Sequence, residues 1–222
     1  MSEIQVNTIN EYTSANGVTI DGVKLKDNAV ETDTISEKTS AAGVTIDGVL
    51  IKDGNVDGVD VSAITQGVTM ADSWRITSNF TLDSPNGVVD TNWERVDTDS
   101  YGTIGSAMTE SSGIFTFPST GIYKIDFTYT VITNGGEASF FLNLQTTTNN
   151  SSYDNTSSQL NFVSGTANMY AGGFLSFIMD VTDTTTHKIR MQNGMITGTA
   201  PALVGNTNDT NTGLFFTRLG DT

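Results

Sequence analysis

Three stretches of the chain carry side chains whose types and spacing could do chemistry. Asp97-Thr98-Asp99-Ser100-Tyr101-Gly102 begins like a calcium loop, with carboxylates two apart ahead of a glycine. An EF-hand also needs an oxygen ligand at its fifth position and a bidentate glutamate at its twelfth; here those positions hold Tyr101 and Met108, which excludes that motif. Asp97, Asp99 and Glu110 are left either as an irregular calcium or magnesium site or as turn carboxylates that cap backbone amides. The second stretch surrounds His187, the only histidine of a chain without cysteine. Disulfides, thiolate zinc sites, cysteine nucleophiles and iron–sulfur clusters are thereby excluded. A Ser-His-Asp triad would have to use His187, which opens a strand and reads as a solvated strand residue. The third comprises two polar strings, Asn149 to Ser158 and Gly205 to Thr212, expected to be loops between strands. Amides, hydroxyls and one aromatic are the groups that hydrogen-bond to sugars and stack on them, so Tyr153, Asn150, Asn155 and Asn208 are candidates for glycan contact, against the plainer reading of solvated connectors.

Other chemistry finds no support. Gly102-Thr103-Ile104-Gly105 lacks the lysine and the flanking elements of a phosphate loop. Paired carboxylates for glycoside cleavage need a fixed separation across a cleft, and nothing in the spacing sets one. The expectation is a protein that is not an enzyme. It has no required cofactor, a divalent cation such as calcium being the one candidate.

Composition sets the scaffold. The 222 residues carry 10 Lys and Arg against 25 Asp and Glu, a net charge of −15. Binding to nucleic acid through its phosphates is therefore disfavoured. Solubility rests instead on Thr, Ser and Asn, which number 36, 20 and 19 and suggest a β-protein surface. No window approaches the roughly 18 apolar residues of a membrane span. The opening residues have neither a basic nor an apolar region of a signal peptide, so synthesis in a host cytoplasm without cleaved export is expected.

The N-terminal part is repeated. Residues 8–30 align without gaps on residues 34–56, with 16 of 23 positions identical at an offset of 26. Each copy has alternating apolar residues on both sides of an Asp-Gly pair, Asp21-Gly22 and then Asp47-Gly48. Asp-Gly suits a two-residue hairpin turn, because both turn positions need positive φ. That loop length pairs Ile20 with Val23 and Val18 with Leu25 in the first copy, and Ile46 with Val49 and Val44 with Ile51 in the second. A degenerate echo follows at Val56-Asp57-Gly58-Val59. Four apolar side chains per hairpin, worth about 1.5–3 kcal/mol each if fully buried, do not offset an ordering cost of about 1–2 kcal/mol per residue. The missing burial must come from other copies wrapped about an axis, or from a large partner. Residues 1–72 are thus expected to be an extended anchor and shaft.

From Ser73 onward the aromatics appear: 18 of 19 lie at or beyond Trp74. Strands are expected at Trp74–Leu82, Trp93–Val96, Gly113–Phe117, Ile122–Ile132, Ala138–Thr146, Gln159–Val163, Met169–Val181, His187–Gln192 and Gly213–Leu219. Nine or ten strands without helices predict an antiparallel sandwich or jelly roll over 73–222.

The run from Gly113 to Phe127, with Phe115, Phe117, Pro118, Gly121 and Tyr123 inside it, resembles the signature of complement q-type heads, jelly rolls related to tumour necrosis factor. Thr212 to Phe216, including Gly213 and Phe215, is similar to the closing strand of that family. The Phe-x-Phe-Pro form with Thr91 to Arg95 upstream looks closest to C-terminal modules of bacteriophage virion proteins, and the Val44 to Asp53 element is similar to segments in structural proteins of phages. The two head motifs cover about 20 residues. There is no collagen stalk and no alignable calcium motif.

The resemblance implies a homotrimer with its loops at an apex and a hydrophobic axis, for which Phe117, Tyr123, Phe127 and Phe215 are candidates. It further implies a virion fibre, on tail or capsid, whose N-terminal segment attaches to another virion protein and whose head faces a host-surface glycan or receptor. The alternatives are a carbohydrate-binding module of a cellular protein and, more remotely, a hydrolase.

Overall fold

The structure, a computed structural model, describes four short strands between Val44 and Asp60 and then residues 67–222 apart from Ser84 and Asp99. The chain divides between Ile64 and Thr65.

In the first unit β1 (Val44–Ile46), β2 (Val49–Lys52), β3 (Asn55–Val56) and β4 (Val59–Asp60) form an antiparallel meander in chain order. The first pair has the register expected from a two-residue loop: Val44 opposite Ile51, Thr45 opposite Leu50, Ile46 opposite Val49. The pairing continues beyond it. Ile51 faces Val56, and Val56 faces Val59, so the degenerate echo is itself a hairpin. Asp47 and Gly48, the first repeat copy and its Asp21-Gly22 pair lie outside the described residues.

The second unit is all β. Its strands are β5 (Ala71–Ile76), β6 (Phe80–Thr81), β7 (Gly87–Val88), β8 (Trp93–Arg95), β9 (Thr109–Ser111), β10 (Ile114–Thr116), β11 (Gly121–Ile132), β12 (Ala138–Thr147), β13 (Asp154–Val163), β14 (Tyr170–Val181), β15 (Lys188–Gly198), β16 (Ala202–Leu203) and β17 (Gly213–Gly220). Two antiparallel sheets result. One runs β13-β12-β15-β10-β9 with β7 on β15; the other runs β6-β16-β11-β17-β5-β8 with β14 along the free edge of β11.

Alternation explains the sandwich. Tyr123, Ile125, Phe127, Tyr129 and Val131 of β11 are buried, and so are Ala138, Phe140, Leu142 and Leu144 of β12, so each sheet turns one face to a common core. Phe115 sits inside that core with Trp74, Trp93 and Phe216 at ring-centroid distances of 5.5, 5.2 and 5.4 Å. Gly113 has φ +78°, and a Cβ there would run into the Val89 carbonyl, so the motif glycine is required by a close backbone approach.

Several boundaries differ from expectation. Met70 is buried in the core and Ala71 and Asp72 open β5, so the head begins ahead of Ser73. Asp72, expected at the end of the shaft, is buried and accepts hydrogen bonds from Trp74 Nε1, the Met108 amide and Arg95 Nε. The stretch Trp74–Leu82 is two strands, not one. β13 starts at Asp154 rather than Gln159, which puts half of the supposed loop Asn149–Ser158 on a sheet. β15 runs on to Gly198 rather than stopping at Gln192.

Candidate functional site

The outward face of the six-stranded sheet is built from the positions of β12 that do not point to the core. Phe141, Asn143 and Gln145 lie there, opposite Leu160, Ser158 and Asn155 of β13 on one side and Gly194, Gln192 and Arg190 of β15 on the other. Such positions usually carry charges or small hydroxyls; here amides and an aromatic line a groove of about 560 Å³.

Side chain holds side chain across this face. Arg190 Nε donates to Gln145 Oε1 at 2.8 Å, Gln145 Nε2 donates to Asn155 Oδ1 at 2.9 Å, and Asn143 Nδ2 donates to Gln192 Oε1 at 2.9 Å. The Arg190 guanidinium also covers the Tyr153 ring, 3.8 Å from its centroid. Burial raises the Tyr153 phenol above the ordinary tyrosine range, against the pull of Arg190, and burial lowers Arg190. Tyr153 Oη and Gln159 Oε1 are buried and lack hydrogen-bond partners among the described residues. Asp154 places the one carboxylate in the lining.

Two of the four expected ligand residues are brought together here. Tyr153 and Asn155 line the groove; Asn150 and Asn208 do not. Asn150 occupies a turn at φ +53°, its amide bound to the Thr186 carbonyl, and Asn208 lies in the loop before β17, its amide bound to Asn206 Oδ1. The loop-centred reading is therefore replaced by a sheet-face site, because β13 starts early enough to carry Asn155 and Ser158 onto the face. Asn143, Gln145 and Gln192 were missed; for Asn143 and Gln145 the signal was there in the outward alternate positions of β12, too bulky and too amide-rich for an idle surface.

The candidate metal ligands are occupied otherwise. Asp97 Oδ1 pairs with Arg75 Nη2 at 2.8 Å, and Glu110 Oε1 accepts the Gly113 amide at 2.7 Å. Asp99 lies outside the described residues, and among those described no three His, Cys, Asp or Glu side chains cluster as a metal centre. His187 is buried rather than solvated, its ring nitrogens 3.4 and 3.2 Å from the Thr182 and Thr186 hydroxyls. The tight turn from Asp183 folds back to bond the His187 amide, which pulls the ring under the loop.

On the opposite side of the sandwich, the outward face of the seven-stranded sheet is apolar. Phe174 and Ile178 of β14 are 57% and 59% exposed, and Phe215 and Leu219 of β17 are 36% and 54% exposed. Within this face Lys124 pairs with Asp126, which also accepts the Ser176 hydroxyl at 2.7 Å. Of the four aromatics expected at an axis, Phe117, Tyr123 and Phe127 are core residues. Only Phe215 faces out, since its neighbours Leu214 and Phe216 take the inward positions of the alternation.

Comparison with solved structures settles the architecture. An Eiger tumour necrosis factor from S. frugiperda superposes with a TM-score of 0.52 at 12% identity, over 70% of this chain and 96% of that one. The fold is a tumour necrosis factor-like jelly roll. Murine APRIL is also similar, with a TM-score of 0.47 at 13% identity over 68% of this chain and 98% of its own. No protein-family model and no curated protein matches the sequence.

Proposed function

We propose that the chain is a non-enzymatic structural protein of a virion, a homotrimeric surface fibre of tail or capsid. In this reading the N-terminal segment attaches to another virion protein and the jelly-roll head faces outward for adhesion to a host surface or for decoration of the particle. The observation that carries the assembly is the outward apolar face around Phe174, Ile178, Phe215 and Leu219. Exposed side chains of this size, grouped on one sheet face, favour association over exposure to water. The phage assignment draws on the resemblance of the Gly113–Phe127 and Val44–Asp53 motifs to virion proteins. The repeated hairpins, too small to stabilise themselves, suit a shaft of several chains.

Antibodies raised separately against residues 1–72 and 73–222 test this reading on particles purified from an infected culture. The head antibody is expected to decorate the particle surface and to slow adsorption, with the N-terminal epitope covered. Particles that lack the chain would contradict the proposal. The amide-lined groove favours one second reading, a carbohydrate-binding module of a cellular protein, for which the chain would be found in uninfected cells.

A further inference from the structure

We propose that the groove on the outward face of the six-stranded sheet is a binding site for a neutral saccharide, with Tyr153 as its aromatic wall and the amides of Asn143 and Gln192 as its polar contacts. The inference rests on the adhesive reading of the head and gives that adhesion a chemical class and a place.

The groove's chemistry selects the ligand. Asn143 and Gln192 spend one donor and one acceptor on each other. That pair leaves the Asn143 carbonyl and the Gln192 amino group for a ligand, and the buried Tyr153 Oη lacks a partner among the described residues. Donors and acceptors in close alternation match vicinal hydroxyls, which both donate and accept, better than they match a phosphate or carboxylate, which only accepts. Asp154 in the lining and the net charge of −15 oppose an anionic ligand. Arg190, the cation nearest the site, is committed to the Tyr153 ring and to Gln145. The apolar contribution comes from Phe141 and Leu160, the latter 76% exposed, which suit the C–H face of a sugar ring.

The site is also built in advance. The chain of contacts from Asn155 through Gln145 and Arg190 to Tyr153 fixes the aromatic wall before a ligand arrives, which lowers the ordering cost of binding. Gly194 serves the same end: a Cβ there would strike the Phe141 ring and the Pro85 carbonyl, so the missing side chain is what lets Phe141 lie across β15. The groove and the apolar face belong to opposite sides of the sandwich, so assembly through one leaves the other open.

Saturation-transfer NMR on the full chain with maltose, lactose and N,N′-diacetylchitobiose, set against sialyllactose, reads the inference directly. At least one neutral sugar is expected to bind more tightly than sialyllactose. Tyr153→Ala should weaken it about tenfold or more, as truncation of an anchoring aromatic does, and Gln192→Ala less, while Asn150→Ala and Asn208→Ala leave it unchanged. Should Tyr153→Ala fail to fold, Ser158→Tyr fills the groove from an exposed position and must also abolish binding. Absence of binding by every neutral sugar, preference for sialyllactose, or indifference to Ser158→Tyr would overturn the inference. Loss of sugar binding with particle adhesion intact removes the groove assignment alone; sugar binding by a chain absent from particles removes the virion reading alone.

Discussion

The two outward faces of the head are made by the same device, alternate residues of long antiparallel strands, yet they differ in chemistry: amides mark the six-stranded sheet and not the other, although β13 and β15 also expose Leu160, Phe162 and Ile196. On the seven-stranded sheet the outward positions of β14 and β17 carry Phe174, Ile178, Phe215 and Leu219; on the six-stranded sheet those of β12 and β15 carry Asn143, Gln145, Arg190 and Gln192. The first face gains by losing water. The second holds its polar groups in side-chain hydrogen bonds from strand to strand. Under the two proposals together, assembly belongs to one face and recognition to the other, with the core between them.

The strongest break of this contrast is charge on the apolar side. Ile178→Asp combined with Phe215→Asp is expected to leave a folded β protein by circular dichroism while reducing the assembly to single chains, since carboxylates cannot be buried unpaired. A smaller loss is expected where that face meets the loops around β8. Arg75 points outward from β5 but is fully buried, held by Glu94 at 2.7 Å and Asp97 at 2.8 Å. Arg75→Ala should lower stability in urea by about 2 kcal/mol, because it strands the part-buried Glu94 carboxylate and removes a buried stem, while the exposed Asp97 is resolvated. On the polar side, Gly194→Ala should cost about 1–3 kcal/mol by overpacking against Phe141, and its sugar binding should fall while its oligomeric mass stays the same.

Legibility in the sequence followed the strength of alternation. β11 reads as five inward apolar residues against four outward polar ones, and the Asp47-Gly48 hairpin fixed the pairing of Val44, Ile46, Val49 and Ile51. What escaped was polar burial and local contradiction. Asp72 and His187 are buried through hydrogen bonds that only the fold supplies. The strand expected to end at Gln192 continues through Asn193 and Gly194: Asn193 faces the core opposite Leu142, and Gly194 passes beneath Phe141. Three strands of two or three residues, β7, β9 and β16, are too short to show any period. The groove was half legible, through Tyr153 and Asn155; Asn143 and Gln145 stand on the adjoining strand β12, and only Gln192 comes from a strand distant in sequence.

The core between the faces supplies two finer tests. Both side-chain polar atoms of Asn193 are buried without partners among the described residues, so Asn193→Leu should raise stability by about 1 kcal/mol in urea unfolding. Burial raises the Tyr129 phenol above 10.0, although its bond to Asn161 pulls the other way. The fold therefore holds this proton more tightly than the unfolded chain does; the contribution is complete below the ordinary tyrosine value and is lost as pH rises through the raised one. Melting temperature should fall on going from about pH 9 to about pH 12, and Tyr129→Phe should make that decline shallower.

Native mass spectrometry of the unaltered full chain, recorded alongside the Ile178→Asp/Phe215→Asp variant, bears most directly on the separation of assembly from recognition. Three copies of the 23.6 kDa chain are expected for the first and one copy for the second. An unaltered chain that is folded and monomeric, or a variant that keeps its threefold mass, would contradict the assignment of the apolar face to assembly.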